Sequence, residues 1–553
     1  MKELIQSITK KEWWLVALFS LILIILTGLP YLYAYLTAPS GLVYNGLNSL
    51  TPADNPVYYS YINQVKRGEI FLKDLFTPEP QSDGLFNIFW FSLGILARVF
   101  NLSAIFTFHL VRLLLIPVFL AVAYIFISLF FNDVIKRKWS LILLSFSSGI
   151  GAYFVYPLYL YNLEDKPGFW SPLDTWVPES ITFLTLYKTP HFIASLILMF
   201  LILLLVFLAL NKRKISYVVV AGLLSLVYFN FHPFYIPTIF LTVGIYLLIL
   251  IFKNKKILWR EVSYYLLFIL ISSPSIFYHL WTLSNNEVLV QRALQNINLA
   301  PPFIFIIIGY GFLWPLGLIG FYSLIIRKEL DEKYIFLLSL ILACIILIRL
   351  PLQFQTRYTQ GLHLSLVIFS VSGLFYLKER FLTANRIKRY DLLLGNKFLG
   401  GVLLMVLLCM SNIFTLVRDF YYFTQQPGQT LKYFYMPSGT KAAMQKLAEI
   451  KPEGVVLADL QNSLFIPVYS AHQVYSAHLI ESSNYSTKKL YLSWFFSNDR
   501  YAKEKQEFLV KNNIDYLLID QSQKKSGFFN PESKDYLKLI YKNSDAEIYQ
   551  VIK

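Results

Sequence analysis

Long, nearly uncharged apolar runs recur along this chain, and they limit its fold more than any other feature. Leu15 to Leu29, Phe192 to Leu210, Ile236 to Phe252 and Phe398 to Leu416 are four of them. A segment of this kind is stable in hydrocarbon as a helix, because the helix satisfies every backbone N–H and C=O internally. With 56% hydrophobic and 15% charged residues, the chain holds more uniformly apolar segments than one soluble core could cover. The expected fold class is a polytopic α-helical membrane protein with a small C-terminal extracytoplasmic α/β domain.

Basic residues give the orientation. They cluster at Lys10-Lys11, Lys136-Arg137-Lys138, Lys212-Arg213-Lys214, Lys255-Lys256, Arg327-Lys328 and from Lys378 to Arg389. Short loops rich in Lys and Arg stay on the cytoplasmic side. Much of the formal +16 charge is therefore a topology signal, and no basic surface for nucleic acid is implied. Spans are expected near 13–37, 106–131, 139–160, 190–210, 216–231, 234–252, 263–281, 303–326, 334–350, 358–377 and 398–417. That is about eleven, with the N-terminus inside and the C-terminus outside. Residues 85–100 would make only about 24 Å of helix against a hydrocarbon core of about 30 Å. Counting them as a span would also invert every later basic loop, so they read as an interfacial helix.

Two domains follow, a membrane domain over 1–425 with a first external loop at 38–105, and an external domain over 430–553. The loop carries Asp54, Glu79 and Asp83 among Tyr and Phe, with Tyr58 and Trp90 beside them. A long loop in a compact fold calls for a function. Two further external loops, 161–190 and 282–302, contain Trp170 and Glu179 and end near His191. His109, Arg112, His191, His232, Arg349 and Arg357 all fall at outer span ends. Ionisable groups at such depths are costly, so together they suggest an external cavity suited to an anionic lipid phosphate.

In the C-terminal region, a helix is expected from Ser438 through Leu447, a buried strand over 454–459 and a helix over 499–512. A second buried strand at 514–520 and a hairpin over 537–552 complete it. No phosphate loop, nucleophile elbow or metal cluster is present in this sequence. His472 and His478 read as surface residues. The domain is expected to support access or docking and to carry no catalytic group.

The Asp54 loop, the interfacial helix, the many spans and the external α/β domain together resemble the GT-C superfamily of membrane glycosyltransferases. The likeness is to bacterial relatives of the protein mannosyltransferases and to the RgtA/B/C/D-like group that modifies lipopolysaccharide. The resemblance implies a prokaryotic inner-membrane enzyme that takes a sugar from a polyprenyl-phosphate donor to an extracytoplasmic glycan or protein. It also implies that Asp54, within Asp54-x-x-x-Tyr58, acts on the acceptor. Many members have two adjacent acids there. This chain has Asp54-Asn55, so a divalent metal is left unassigned.

Inverting transfer from a lipid phosphate needs one base and cations that stabilise the departing phosphate, which leaves without protonation. Asp54 fits the base, with Glu79, Asp83 and Glu179 as acidic support. Arg357, with Arg349 or Arg112, fits the phosphate through paired N–H donors. Tyr58, Trp90 and Trp170 are candidates for stacking on sugar faces, and His191 and His232 for lining the cavity. Two other classes compete. A transporter would place charges at mid-membrane on broken helices in repeated halves. A non-catalytic scaffold would simply present its external domain.

Overall fold

The computed structural model describes residues 1–82, 84–157, 170–383, 397–424, 433–526 and 528–553, so Asp83 lies outside the described residues. Among them, seven helices are long and apolar enough to cross a membrane, or eight if the pair Phe303–Tyr310 and Leu313–Ile326, bent by 83°, is one span. Each of the eleven expected positions carries a helix, and Ile215–Phe231, Glu332–Arg349 and Lys397–Thr424 fall outside that count. The expected 303–326 span is broken by that bend. The interfacial segment is a helix over Ile88–Val99, whose 12 residues are too few to span.

The chain divides into two compact units by contact rather than by order along the sequence. The first holds Met1–Pro30, Leu110–Tyr278 and Ile297–Asp419. The second holds Tyr31–His109, His279–Asn296 and Phe420–Lys553. The segments Tyr31–His109 and His279–Asn296 therefore belong with the C-terminal region.

In the first unit the helix Pro190–Lys212 is the most enclosed span, while Trp259–Asn285 is the least. The N-terminal helix Lys10–Leu36 leaves Leu18, Leu21, Ile25 and Leu29 exposed. Steps of three and four residues put them on one face, a stripe that suits lipid contact. At its other end the fully buried Glu12 accepts hydrogen bonds from Tyr124 Oη (2.8 Å) and Arg137 Nη1 (3.4 Å). A buried carboxylate is tolerated here because a cation and a phenol both face it.

In the second unit, strands β1 (Leu42–Tyr44) and β2 (Tyr435–Pro437) pair antiparallel and fasten the start of the first loop to the C-terminal region. A five-stranded sheet follows, formed by β3 (Val455–Leu457), β4 (Gln473–Val474), β5 (Ile514–Asp520), β6 (Leu537–Lys542) and β7 (Ala546–Val551). Its order is β4-β3-β5-β7-β6, parallel on the β3 side and antiparallel on the β7 side. Val455, Leu457, Leu509, Ile514, Leu517 and Phe495 pack beneath it. This is the α/β arrangement that the strand and helix patterns predict, with β5 and the terminal hairpin where expected.

The first loop is largely ordered structure. Asp54–Arg67 is a 14-residue helix, ended by Gly68 at φ 118°, whose N–H reaches back to Gln64 and Val65 carbonyls. Only glycine adopts that angle without cost. Beyond it the chain runs against the sheet edge. The Val474 N–H donates to Leu75 O (2.9 Å), and Ser482 Oγ donates to Phe76 O (2.7 Å).

Candidate functional site

Asp54 is the first residue of its helix, where unpaired backbone N–H groups favour a negative charge. Its carboxylate Oδ1 stands 3.2 Å from Nε2 of His478. The other ring nitrogen, Nδ1, accepts two backbone N–H groups, from Ile480 and Glu481, each at 3.2 Å. A nitrogen that accepts carries no proton, so the proton sits on Nε2 and points at Asp54. His478 is buried while Asp54 is about a third exposed, so the carboxylate keeps an open side. The neighbouring Asn55 is fully buried and directed toward the Tyr59 hydroxyl. Position 55 therefore faces the interior, where a second acid would need a partner, and the single Asp of the Asp54-Asn55 pair has a packing reason.

Behind this pair lies a buried ionic cluster that spacing along the sequence did not reveal. Arg292, on the helix Glu287–Gln295, forms an ion pair with Glu481 (Nε to Oε2, 2.8 Å) and donates from Nη1 to Tyr61 Oη (2.8 Å). Asp74 is buried next to Glu481, and its Oδ1 accepts the Phe76 N–H (2.9 Å). Burial first, and then the neighbouring Glu481 charge, push the Asp74 carboxyl well above the ordinary carboxylate range. Burial likewise raises the Tyr61 phenol. One proton shared between two carboxyls, with one guanidinium beside them, is the arrangement that leaves least uncompensated charge. Four segments meet there: the 54–67 helix, the 72–77 segment, the 287–295 helix and the 478–482 turn.

Several expectations are corrected. His472 and His478 are buried rather than on the surface, and His472 is held by Leu447 O and Gly454. The C-terminal region is not remote from the acid, since it supplies His478. Glu79 is not available as a second base, because Lys488 and the Thr77 hydroxyl both bond to it. Trp90 is 5% exposed and stacked on Tyr58 at 4.9 Å, so it supports Tyr58 and offers no face to a sugar. Tyr58 remains half-buried.

In the first unit, Glu179 and Arg357 are brought together, with Arg357 Nη1 donating to Glu179 Oε1 at 3.1 Å. The Arg357 guanidinium also lies 5.0 Å from the Phe234 ring centroid. His191 and His232 are both buried, their rings 4.9 Å apart, and Thr189 Oγ1 meets His191 Nδ1 at 2.6 Å. The buried Lys188 adjoins them in sequence and was not anticipated. Arg349 is exposed over the Phe303 ring. Arg112, by contrast, is fully buried and donates to the carbonyls of Leu186 (3.1 Å) and Thr27 (3.2 Å). Its fork joins helices, which corrects its assignment to the phosphate. Trp170 is half-buried at the edge of a described segment.

Among the described residues, no three His, Cys, Asp or Glu side chains are grouped to hold a metal ion. Asp54 faces an N–H donor, and Glu179 faces a guanidinium, so the donor set does not fit a metal.

No protein-family model matches the sequence, and no curated protein matches it. Solved structures do. The archaeal oligosaccharyltransferase AglB from Archaeoglobus fulgidus, in complex with an inhibitory peptide and a dolichol-phosphate, matches with a TM-score of 0.53 and 12% identity. The match covers 93% of this chain and 70% of that one. The Archaeoglobus fulgidus oligosaccharyltransferase complex with Zn and sulfate matches with a TM-score of 0.54 and 13% identity, over 97% of this chain and 72% of that one. At such identities the likeness is one of fold alone.

Proposed function

We propose that this GT-C-fold chain is a membrane glycosyltransferase that moves a sugar from a polyprenyl-phosphate carrier to an extracytoplasmic glycan or protein. The observation that carries the reading is Asp54. It is a partly open carboxylate at a helix head, oriented by the Nε2–H of His478. Support also comes from a fold shared along nearly the whole chain with an oligosaccharyltransferase seen with a dolichol-phosphate.

In the proposed step, Asp54 takes the proton of the acceptor hydroxyl as its oxygen attacks the anomeric carbon. The bond from that carbon to the phosphate oxygen breaks on the opposite face, so configuration inverts. The phosphate departs as an anion, and a cation rather than an acid stabilises it. His478 acts as a positioning residue: its N–H holds one oxygen of the carboxylate.

The test is transfer by the purified full-length protein in liposomes, offered radiolabelled polyprenyl-phosphate sugars with a crude envelope acceptor fraction. Label should move to the acceptor from at least one donor. A folded wild-type protein that transfers from none of the donors would turn the reading toward a membrane scaffold.

A further inference from the structure

A cationic cavity lies in the unit that holds Asp54, at the other end of that residue's helix. It has a volume of about 270 Å³ and is lined by residues that include Lys66, Arg67, Ser103, Lys441 and Tyr469. Fourteen residues at 1.5 Å each put it roughly 20 Å from Asp54 along the helix. The lining contains three basic side chains and no acidic one. Among the described residues, no carboxylate comes within ion-pair distance of these three. Glu453, whose charge reaches Arg67, is itself paired with Lys451.

The other groups favour an anion as well. Lys441 lies 5.5 Å from the Tyr469 ring centroid, and the Tyr469 hydroxyl is buried with no hydrogen-bond partner. Desolvation pushes the Lys441 ammonium and the Arg67 guanidinium below their ordinary values, partly offset at Arg67 by Glu453. Ala104, in the lining, opens the helix Ala104–Phe130, so that helix turns its positive end to the cavity. Basic groups held without counter-charges, beside an orphaned hydroxyl, gain most from a multivalent oxyanion.

We propose that this cavity binds a phosphate group, carried either by an anionic lipid headgroup or by a small soluble phosphate. Its volume lies below the range of about 300–1,000 Å³ found for drug-sized ligands, which suits a headgroup. Val99, Phe100 and Phe106, next to the lining residues in sequence, are large apolar side chains left exposed at the head of a candidate span. Such a surface sits naturally at the lipid interface. The inference goes beyond sugar transfer and does not depend on it.

The experiment uses the full-length protein in nanodiscs. Retention of phosphatidylglycerol over phosphatidylcholine is read by native mass spectrometry. Binding of inorganic phosphate in purely phosphatidylcholine discs is read by ³¹P line broadening. The wild type should prefer phosphatidylglycerol if the source is lipid, or bind inorganic phosphate if the source is soluble. Arg67→Gln with Lys441→Gln should reduce whichever signal is found, by roughly fivefold or more per basic group removed. Tyr469→Phe, which removes a hydroxyl that bonds nothing in the protein, should reduce it as well. Lys503→Gln with Lys511→Gln removes the same charge from exposed positions of the same unit and should change nothing. Neither signal in the wild type, no loss in the cavity variants, or an equal loss in the control would overturn the proposal.

Discussion

Two backbone N–H groups fix the proton of His478 on the nitrogen that faces Asp54, so the residue most able to orient the acid comes from more than 400 positions along the chain. His478→Ala should lower kcat by roughly ten- to a hundredfold with little change in KM, the range for a lost hydrogen bond to a charged group. His478→Gln, which can still present an N–H, should recover much of that loss. Equal effects on kcat and KM in both variants would argue for a folding role instead. Asp74 gives a pH prediction. Its carboxyl is raised by burial and by Glu481, so the folded protein binds that proton more tightly than the unfolded chain does. The stability it contributes is fully present below the ordinary carboxylate range and is lost as pH rises through the raised value. Asp74→Asn should therefore flatten the decline of melting temperature toward alkaline pH, and an unchanged slope would contradict this account. The sequence made Asp54 legible, because a lone acid in an aromatic external loop stands out. The set of Asp74, Arg292, Glu481 and His478 was not legible, because each residue lies in a different segment and no spacing links them.

Among elements, the helix Asp54–Arg67 governs both candidate sites, with the acid at its head and the basic cavity at its end. Gly68 closes it at φ 118°, and a Cβ there would meet nothing nearer than 3.7 Å. Space is therefore not the constraint, and backbone strain alone sets the cost. Gly68→Ala should destabilise by roughly 1–2 kcal/mol, read from denaturation of the detergent-solubilised protein. No measurable change would show that the helix end relaxes. The first loop reads in sequence as a loop because its polar and apolar residues alternate irregularly. Its helix is half of a packing arrangement whose other half, Leu460–Tyr469, comes much later in the chain. The external strands were legible because β-branched and leucine runs bounded by turn residues carry their own signal.

For the whole molecule, basic clusters predict that a reporter fused after Phe131 or Leu210 is cytoplasmic and that one fused after Tyr421 is external. An external reading from the Lys212-Arg213-Lys214 loop would invert the orientation and remove the external assignment of Asp54. The membrane class and the α/β region were legible because apolar runs and strand patterns are local. The bend of 83° between Phe303–Tyr310 and Leu313–Ile326 was not, because the apolar run there is unbroken in sequence. The joining of Tyr31–His109, His279–Asn296 and Phe420–Lys553 in one unit was hidden because the contacts that join them are distant in sequence. The central claim is that Asp54 is the base of sugar transfer. The direct measurement compares transfer of radiolabelled sugar from extracted polyprenyl-phosphate donors in membranes carrying wild-type protein or Asp54→Asn at equal expression. The amide keeps the volume of the carboxylate but cannot take the proton, so turnover should fall by roughly 10²–10⁴-fold while donor binding persists. Transfer at the wild-type rate in the Asp54→Asn membranes would contradict the account.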